Sequence, residues 1–164
     1  MGKKHTQSGA DLKTLPIIKR RILLVDDDAA VLLTLKAVLE LNEFQVDTAS
    51  STAEVIEKLG SSDYHMVITD ARMDHETAGL EVIRAARRQP YNPATALLTA
   101  YPPSDGDWHE AQTLLVKPIG TEDLLRQIEA LLVRHEDEKH LVATVREGKN
   151  TRSAEGREPR RPAV

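Results

Sequence analysis

Short apolar runs alternate with longer amphipathic stretches from Arg21 onwards. The runs at residues 22–25, 66–69, 96–98 and 114–116 predict buried strands, and a further short strand is expected near residues 45–48. Strands that alternate with helices along a chain predict a parallel sheet covered by helices, so we expect an α/β fold.

Helical spacing follows the first of these runs. Its apolar residues recur every three or four positions, which predicts one buried helix face. They are Val31, Leu32, Leu35, Val38 and Leu39. Ser51 and Glu54 then form a capping-box pattern, which predicts the start of a second helix, and Gly60 suits the C-terminal cap of that helix.

The later helices differ in length. A third helix is expected over about residues 79–88, and a last helix is expected to begin near Thr121. Between the apolar runs at residues 96–98 and 114–116, Pro102 and Pro103 leave room for at most two helical turns, within residues 104–112. The sequence therefore predicts a shortened fourth helix.

Four of the runs end at polar residues whose side chains suit a magnesium and phosphoryl site. Ligands of open α/β sheets collect outside the carboxyl ends of the strands, so these residues are expected to meet. They are Asp26, Asp27 and Asp28 after the run at residues 22–25, Asp70 after the run at 66–69, Thr99 after the run at 96–98, and Lys117 after the run at 114–116. Carboxylates and phosphate oxygens are the ligands that Mg²⁺ takes.

Each of these residues also has an ordinary structural use. One Asp of the triplet is expected to cap the first helix, and Asp28 is placed for that task. Three crowded carboxylates repel each other, so a bound cation explains Asp26 and Asp27 better than capping does. Thr99 alone is an unremarkable β-branched strand residue. The six histidines share no ligand spacing, and surface or loop positions are expected for them.

Composition and charge narrow the class of protein. The chain has 164 residues and no cysteine, which fits one domain without disulfides or a cysteine-based site. No apolar run approaches the length of a membrane span, and no signal-peptide pattern is seen, so a cytoplasmic location is expected. Residues 21–135 hold ten Lys or Arg against nineteen Asp or Glu, a net charge of −9. Direct DNA binding by this part is not expected, because phosphate contacts need clustered cations.

The ordered set of strand-end residues resembles the receiver domain of two-component response regulators, over about residues 21–133. The resemblance implies a flavodoxin-like five-stranded sheet of order 2-1-3-4-5, with Asp70 as the phosphoacceptor. It further implies a Mg²⁺ site formed by Asp27, Asp70, Asp26 and the backbone carbonyl of Arg72. Lys117 would face the phosphoryl oxygens, and Thr99 would donate a hydrogen bond to one of them. A sensor histidine kinase or a histidine phosphotransfer protein would supply the phosphoryl group, and an unknown downstream protein would receive the signal.

The chain departs from this family at three places. Leu114 stands where receivers carry an aromatic residue that moves together with the threonine. Asp74 follows Met73 where a proline is usual, and the fourth helix is short. A phosphorylation-independent binding module therefore stays open as a second function. A phosphohydrolase that uses Asp70 as its nucleophile is a third, although such enzymes usually show Asp-x-Asp, which Asp70-Ala71-Arg72 lacks.

The chain divides into three parts by composition. Residues 1–19 lack periodicity and are expected to be a flexible extension, and residues 20–135 are expected to form the receiver domain. Residues 136–164 are polar and are expected to be a disordered tail, apart from a short amphipathic extension around Leu141, Val142 and Val145. No second domain is expected, so the chain would act as a stand-alone receiver.

Overall fold

The computed structural model describes residues 18–102 and 107–154. The strands in these residues are β1 (Arg21–Val25), β2 (Gln45–Ala49), β3 (Met66–Asp70), β4 (Ala94–Thr99) and β5 (Thr113–Val116). The α-helices are α1 (Ala29–Leu41), α2 (Thr52–Ser61), α3 (Ala78–Arg87) and α4 (Thr121–Ala154), and a 3₁₀ turn, Asp107–Glu110, lies between β4 and β5.

The five strands form one parallel sheet in the order β2-β1-β3-β4-β5. The predicted flavodoxin-like α/β fold and its strand order are confirmed. The register aligns Val25 with Thr69 and Thr99 with Val116. The residues that follow β1, β3, β4 and β5 therefore leave the sheet at the same edge.

Alternating residues of the central strands bury themselves in two separate cores. Ile22 and Leu24 pack with apolar residues of α1 and α4, while Leu23 and Val25 pack with those of α2 and α3. All four are at most 1% exposed. Because both faces of the sheet are covered, the central strands are continuously apolar, as the sequence pattern indicated.

Two predicted N-terminal caps are confirmed, and one predicted C-terminal cap is wrong. Asp28 Oδ1 accepts hydrogen bonds from the backbone N–H groups of Ala30 and Val31 at the start of α1. Ser51 Oγ accepts one from Glu54 N, at 3.3 Å. Gly60, however, lies inside α2, which ends one residue later. The chain leaves α2 through extended backbone at the next residue, so no left-handed glycine is needed.

The predicted shortening of the fourth helix is confirmed, because the described residues between β4 and β5 contain only a 3₁₀ turn, Asp107–Glu110. Residues 103–106 lie outside the described residues. Directly before β5, Gln112 N donates to Thr95 O at 3.1 Å, so the chain has already returned to the sheet at this residue. The tighter 3₁₀ geometry suits a turn that must close within so few residues.

The expected disorder of residues 136–164 is wrong for residues 136–154, because α4 continues through them as a single helix of 34 residues. Its first part packs on the sheet, and its contacts with the body extend to Lys139, whose Nζ donates to Tyr91 O at 2.7 Å. Beyond that contact, residues 141–147 are exposed. Adding residues to an existing helix costs little, and no Gly or Pro interrupts residues 121–147.

His135 lies on the packed part of α4 and is only 5% exposed, so the expected surface position is wrong for this histidine. The predicted N-terminal extension, for residues 1–17, and the predicted tail, for residues 155–164, lie outside the described residues. Among the described helices, none has the combined length and apolar character that a membrane crossing requires.

Candidate metal centre

Two neighbouring strands bring three carboxylates together at one edge of the sheet. Asp26 and Asp27 directly follow β1, and Asp70 is the last residue of β3, which pairs with β1. One carboxylate oxygen from each residue lies within 4.8 Å of the others. The structure therefore brings together the carboxylates that the sequence singled out for a cation.

Asp26 is the buried member of the cluster, at 3% exposure. Its Oδ1 accepts a hydrogen bond from Asp28 N at 2.9 Å, and its Oδ2 lies 3.4 Å from Lys117 Nζ. Burial and the nearby Asp70 charge raise the pKa of the Asp26 carboxyl, although the Asp28 amide and the Lys117 ammonium oppose the change. A divalent cation would favour the charged form that burial disfavours.

Lys117 supplies the only described ammonium group that forms ion pairs with this cluster. It follows β5, and its backbone N–H donates to Thr99 O at 2.7 Å. Its Nζ lies 3.1 Å from Asp70 Oδ1. Burial alone would lower the pKa of Lys117, but its bonds and charge contacts with Asp70 and Asp26 outweigh burial and raise it. The next peptide bond, Lys117–Pro118, is cis.

Thr99 is buried at the end of β4, but its hydroxyl is occupied by its own loop. Thr99 Oγ1 donates to Tyr101 O and accepts from Tyr101 N, both at 3.1 Å. The hydroxyl therefore holds the turn after β4 in this structure. Its single O–H must leave Tyr101 O before it can donate to a group bound near Asp70.

Arg72 lies on the loop that follows β3. Its side chain is exposed, and its guanidinium carbon lies 5.9 Å from the centre of the Tyr101 ring, a cation–π contact. The role expected for its backbone carbonyl as a metal ligand stays a prediction. The side-chain contact joins the loop after β3 to the loop after β4.

Gly79 is a site residue that the sequence pattern marked only as a helix start. A Cβ added to Gly79 would lie 2.4 Å from Asp70 O and 2.8 Å from Ala71 Cα, distances that real Cβ atoms do not reach. Gly79 N also donates to Ala71 O at 3.3 Å. The first turn of α3 can approach the backbone of Asp70 this closely only because residue 79 has no side chain. The sequence signal was a glycine at a helix start shortly after a functional strand end.

A cavity of about 420 Å³ opens beside the cluster, between the loops that follow β3 and β4. Its lining includes Arg72, Leu80, Thr99, Tyr101 and Trp108. Trp108 and Leu114 both pack against the apolar cluster of Ile83, Leu97 and Ala111. Aromatic side chains therefore reach this cavity from the loop after β4 and from the 3₁₀ turn, as Tyr101 and Trp108, rather than from β5.

The donor set fits a hard divalent cation. Mg²⁺ binds through one or two carboxylates, keeps several waters and accepts phosphate oxygens as further ligands. Three carboxylates and one ammonium leave an excess of negative charge, and Asp27 is exposed, so the site is open to solvent. Asp28 is separate from this set, because its carboxylate caps α1.

Comparisons with known proteins identify the family to which the chain is similar. The family model of the response regulator receiver domain matches residues 22–129. A transcriptional regulatory protein from Haemophilus influenzae, a CpxR homolog, is 30% identical over 76% of this chain and 56% of its own length. The chain thus spans little more than half the length of the curated relatives it matches.

Two solved structures extend the comparison to three dimensions. The response regulator TrrA from Thermotoga maritima, crystallised in complex with Mg²⁺–BeF, is 32% identical and has a TM-score of 0.62. The match covers 68% of this chain and 98% of that protein. The chemotaxis protein CheY4 from Vibrio cholerae is 25% identical with a TM-score of 0.63, over 69% of this chain and 98% of the other.

Proposed function

Because the chain belongs to the response regulator receiver domain family, we propose that it accepts a phosphoryl group on Asp70 in a Mg²⁺-dependent reaction. The phosphodonor would be a sensor histidine kinase or a histidine phosphotransfer protein. Receiver domains are phosphoacceptor domains of two-component signalling rather than enzymes that turn over a substrate. The observation that carries the proposal is the convergence of Asp26, Asp27, Asp70 and Lys117 at one edge of the sheet.

The proposed reaction is a direct displacement at phosphorus. An Asp70 carboxylate oxygen attacks the phosphorus atom of a phosphohistidine, the new phosphorus–oxygen bond forms and the phosphorus–nitrogen bond breaks. The departing imidazole keeps the electron pair of the broken bond and takes up a proton from water. Positioning and charge neutralisation dominate such transfers, and Lys117 is placed beside Asp70 to supply part of that neutralisation.

Mg²⁺ would be held by Asp27 and Asp70, with Asp26 acting mainly through water and the Arg72 carbonyl as a further ligand. When bound, the ion would neutralise charge on the transferring phosphoryl oxygens. Two observations support this set of ligands. One carboxylate oxygen from each of the three Asp residues lies within 4.8 Å of the others, and the pKa of Asp26 is raised. The support for the Arg72 carbonyl as a ligand is its position, two residues after Asp70.

Thr99 would connect phosphorylation to the loop after β4. A phosphoryl group on Asp70 carries about two negative charges, which would attract the Thr99 hydroxyl as a hydrogen-bond donor. The hydroxyl would then break the bond that it donates to Tyr101 O, one of its two bonds to that backbone. Release of this turn would change the surroundings of Trp108, which lines the same cavity.

Output through contacts with another protein completes the proposal. The net charge of −9 over residues 21–135 disfavours direct DNA binding by this part. We propose that it acts in the cytoplasm as a receiver that relays, stores or presents the phosphoryl group. Autophosphatase activity at Asp70 belongs to the same proposal.

A phosphorylation-independent binding module is the second candidate. Leu114 in place of an aromatic residue, and a 3₁₀ turn where the fourth helix was expected, favour it. Both features alter the region through which a phosphorylation signal would leave the site. The intact set of carboxylates and Lys117 favours the phosphoacceptor function.

Incubation with Mg²⁺ and acetyl phosphate, followed by intact mass measurement, separates the two functions. The phosphoacceptor proposal expects one phosphoryl adduct that is labile to base and absent from the Asp70→Asn variant. Hydrolysis of small phosphoesters in many turnovers would instead indicate a phosphohydrolase. No adduct, together with a melting temperature that Mg²⁺ does not change, would support the binding module.

A further inference from the structure

A second cavity, of about 650 Å³, lies between α4 and the body of the protein at the edge opposite to the acidic cluster. Thr95, at the start of β4, and Gln112, directly before β5, are part of its lining. The cavity therefore faces the amino ends of the strands, whereas Asp70 and Lys117 stand at the carboxyl ends. Its volume falls in the range of small-molecule sites, roughly 300–1,000 Å³.

A buried set of hydrogen bonds fixes the walls of this cavity. The His135 ring contacts Asn92 O through Nε2 and the Gln112 amide nitrogen through Nδ1, both at 2.8 Å. A carbonyl oxygen only accepts, so Nε2 carries the proton and Nδ1 accepts from Gln112. The Gln112 side-chain oxygen in turn accepts from Thr95 N, at 3.0 Å. These bonds hold α4 against the loop before β4, so the cavity is formed before any ligand enters.

Two cations of the lining are bonded to neutral oxygens. Arg87 donates to Glu110 O at 3.1 Å, and Lys139 donates to Tyr91 O at 2.7 Å. In the described part of the chain, neither forms an ion pair with a carboxylate. The carboxylate of Glu110 is instead bound by both nitrogens of the Arg84 fork, at 2.7 and 2.5 Å. Burial lowers the pKa of Lys139 although the Glu136 charge opposes the change, and an anion placed here would further favour the charged ammonium.

The rest of the lining combines further charge with apolar surface. Arg146 adds a third cation, and Glu138 is the second carboxylate of the lining. Pro90, Pro93 and Val142 provide apolar walls, and Val142 is 52% exposed in the structure. Burial of such surface by a flat apolar group is favourable.

We propose that this cavity binds a small organic anion that carries a flat apolar portion. The anionic group would lie on the side of Arg87 and Lys139, and the apolar portion would lie against Pro90, Pro93 and Val142. Such a ligand would bridge the body and the projecting part of α4 and so hold the helix in place. The site uses no residue of the acidic cluster, so binding does not depend on phosphorylation of Asp70.

Anilinonaphthalene sulfonate, a flat aromatic anion, is a direct probe, and its uncharged parent phenylnaphthylamine is the matched control. Trp108 is the single tryptophan of the chain, and its ring lies 4.4 Å from the ring of His109, which lines the cavity. Energy transfer from Trp108 to the bound sulfonate therefore reports that the dye is bound to the protein, and the variants below locate the site. We expect saturable binding of one sulfonate per chain with energy transfer, and clearly weaker binding of the uncharged parent.

Variants locate the binding site. Arg87→Gln and Lys139→Gln should each weaken sulfonate binding by roughly tenfold, the effect of losing one charge-assisted hydrogen bond. Lys139→Arg, which keeps the charge, should restore most of the affinity and shows that the helix still packs. Arg126→Gln, on the outward side of α4, and Asp70→Asn, at the opposite edge, should bind the sulfonate as the unaltered chain does.

Three results would overturn this assignment. Absence of saturable binding would remove the site, and equal binding of the uncharged parent would remove the role of the cations. An affinity that falls in Arg126→Gln but not in Arg87→Gln or Lys139→Gln would place the dye on the outer face of α4. None of these results bears on acetyl phosphate labelling of Asp70.

Discussion

Lys117 Nζ lies 3.1 Å from Asp70 Oδ1 and 3.4 Å from Asp26 Oδ2, so a single ammonium bridges carboxylates that come from two strands. This contact holds the cation beside the proposed phosphoacceptor before a phosphoryl group arrives. Preorganised charge of this kind needs little rearrangement during the reaction. The contact links the stability of the site to its proposed chemistry.

Replacement of Lys117 should therefore slow phosphorylation more than it disturbs the fold. Removal of one preorganised donor lowers the rate of such reactions by roughly 10²–10³-fold. Lys117→Met should therefore slow the labelling of Asp70 by acetyl phosphate by roughly the same factor. Lys117→Arg keeps the charge but not the compact ammonium, and intermediate labelling is expected. Time-resolved intact mass measurement gives the rates. Equal labelling of Lys117→Met and the unaltered chain would exclude a role for this ammonium in transfer.

Mg²⁺ should stabilise the folded protein through the three carboxylates. At about a hundred times the dissociation constant, a ligand that binds only the folded state adds about 2.7 kcal/mol to the free energy of unfolding. This corresponds to a rise of several degrees in the melting temperature. Asp27→Asn should lose most of this rise, while Asp74→Asn, an exposed loop acid outside the cluster, should keep it. Thermal melts with and without the ion make the comparison, and a rise retained in Asp27→Asn would place the ion elsewhere.

Trp108 fluorescence should report the release of Thr99 from Tyr101. The Thr99 hydroxyl bonds both the N–H and the carbonyl of Tyr101, and these two residues line one cavity together with Trp108. Phosphorylation should change the Trp108 emission in the unaltered chain and in Thr99→Ser, which keeps the hydroxyl. Thr99→Ala should be labelled without that change. An identical emission change in Thr99→Ala would show that the Trp108 emission does not depend on the Thr99 hydroxyl.

Gly79→Ala should be destabilising and should disturb Asp70. The added methyl group would lie 2.4 Å from Asp70 O, so either α3 or the end of β3 must move. Overpacking of this kind typically costs about 1–3 kcal/mol. Slower labelling of Asp70 should accompany the loss of stability.

Gly60→Ala is the matched control for this substitution. Gly60 lies in α2, and nothing approaches within 4 Å of an added Cβ. Alanine should therefore stabilise the helix by roughly 0.5–1 kcal/mol and leave labelling unchanged. Urea unfolding of both variants measures the two effects, and a neutral Gly79→Ala would contradict the close packing of α3 on β3.

Stability should fall at alkaline pH through Tyr91. Burial raises the pKa of the Tyr91 phenol from 10.0 to about 12, and its hydroxyl donates to Leu59 O at 3.1 Å. Between these pH values the unfolded chain loses the phenol proton while the folded protein keeps it. The free energy of unfolding therefore falls as pH rises through this interval.

Tyr91→Phe removes this titration. The variant should lose the Leu59 hydrogen bond, at a cost of about 1 kcal/mol near neutral pH, and should show a flatter dependence of stability between pH 10 and about 12. Urea unfolding at a series of alkaline pH values tests both statements. An unchanged slope in the variant would assign the alkaline loss to other groups.

Local sequence patterns predicted the parts of the site that depend on where strands end. The apolar runs located the strands, and polar residues directly after them had to emerge at the carboxyl edge of a parallel sheet. Asp28 was likewise predictable as a cap, because a cap bonds to the backbone only two or three residues away. The metal and phosphoacceptor roles of these residues remain predictions that the experiments above address.

Tertiary structure decided the features that depend on distant residues. Gly60 looked like a helix end, but the chain leaves α2 one residue later through extended backbone. Residues 136–154 looked disordered, but they extend a helix already nucleated on the core.

By itself the sequence determined the fold class, the strand order expected for a receiver and the identity of the residues at the strand ends. The tertiary structure decided how closely Gly79 approaches Asp70, how far α4 continues and where the cavity beside His135 forms. The division has a physical reason. Periodicity and capping arise from neighbours along the chain, whereas close backbone approach, helix extension from a packed core and cavity walls arise from contacts between residues far apart in sequence.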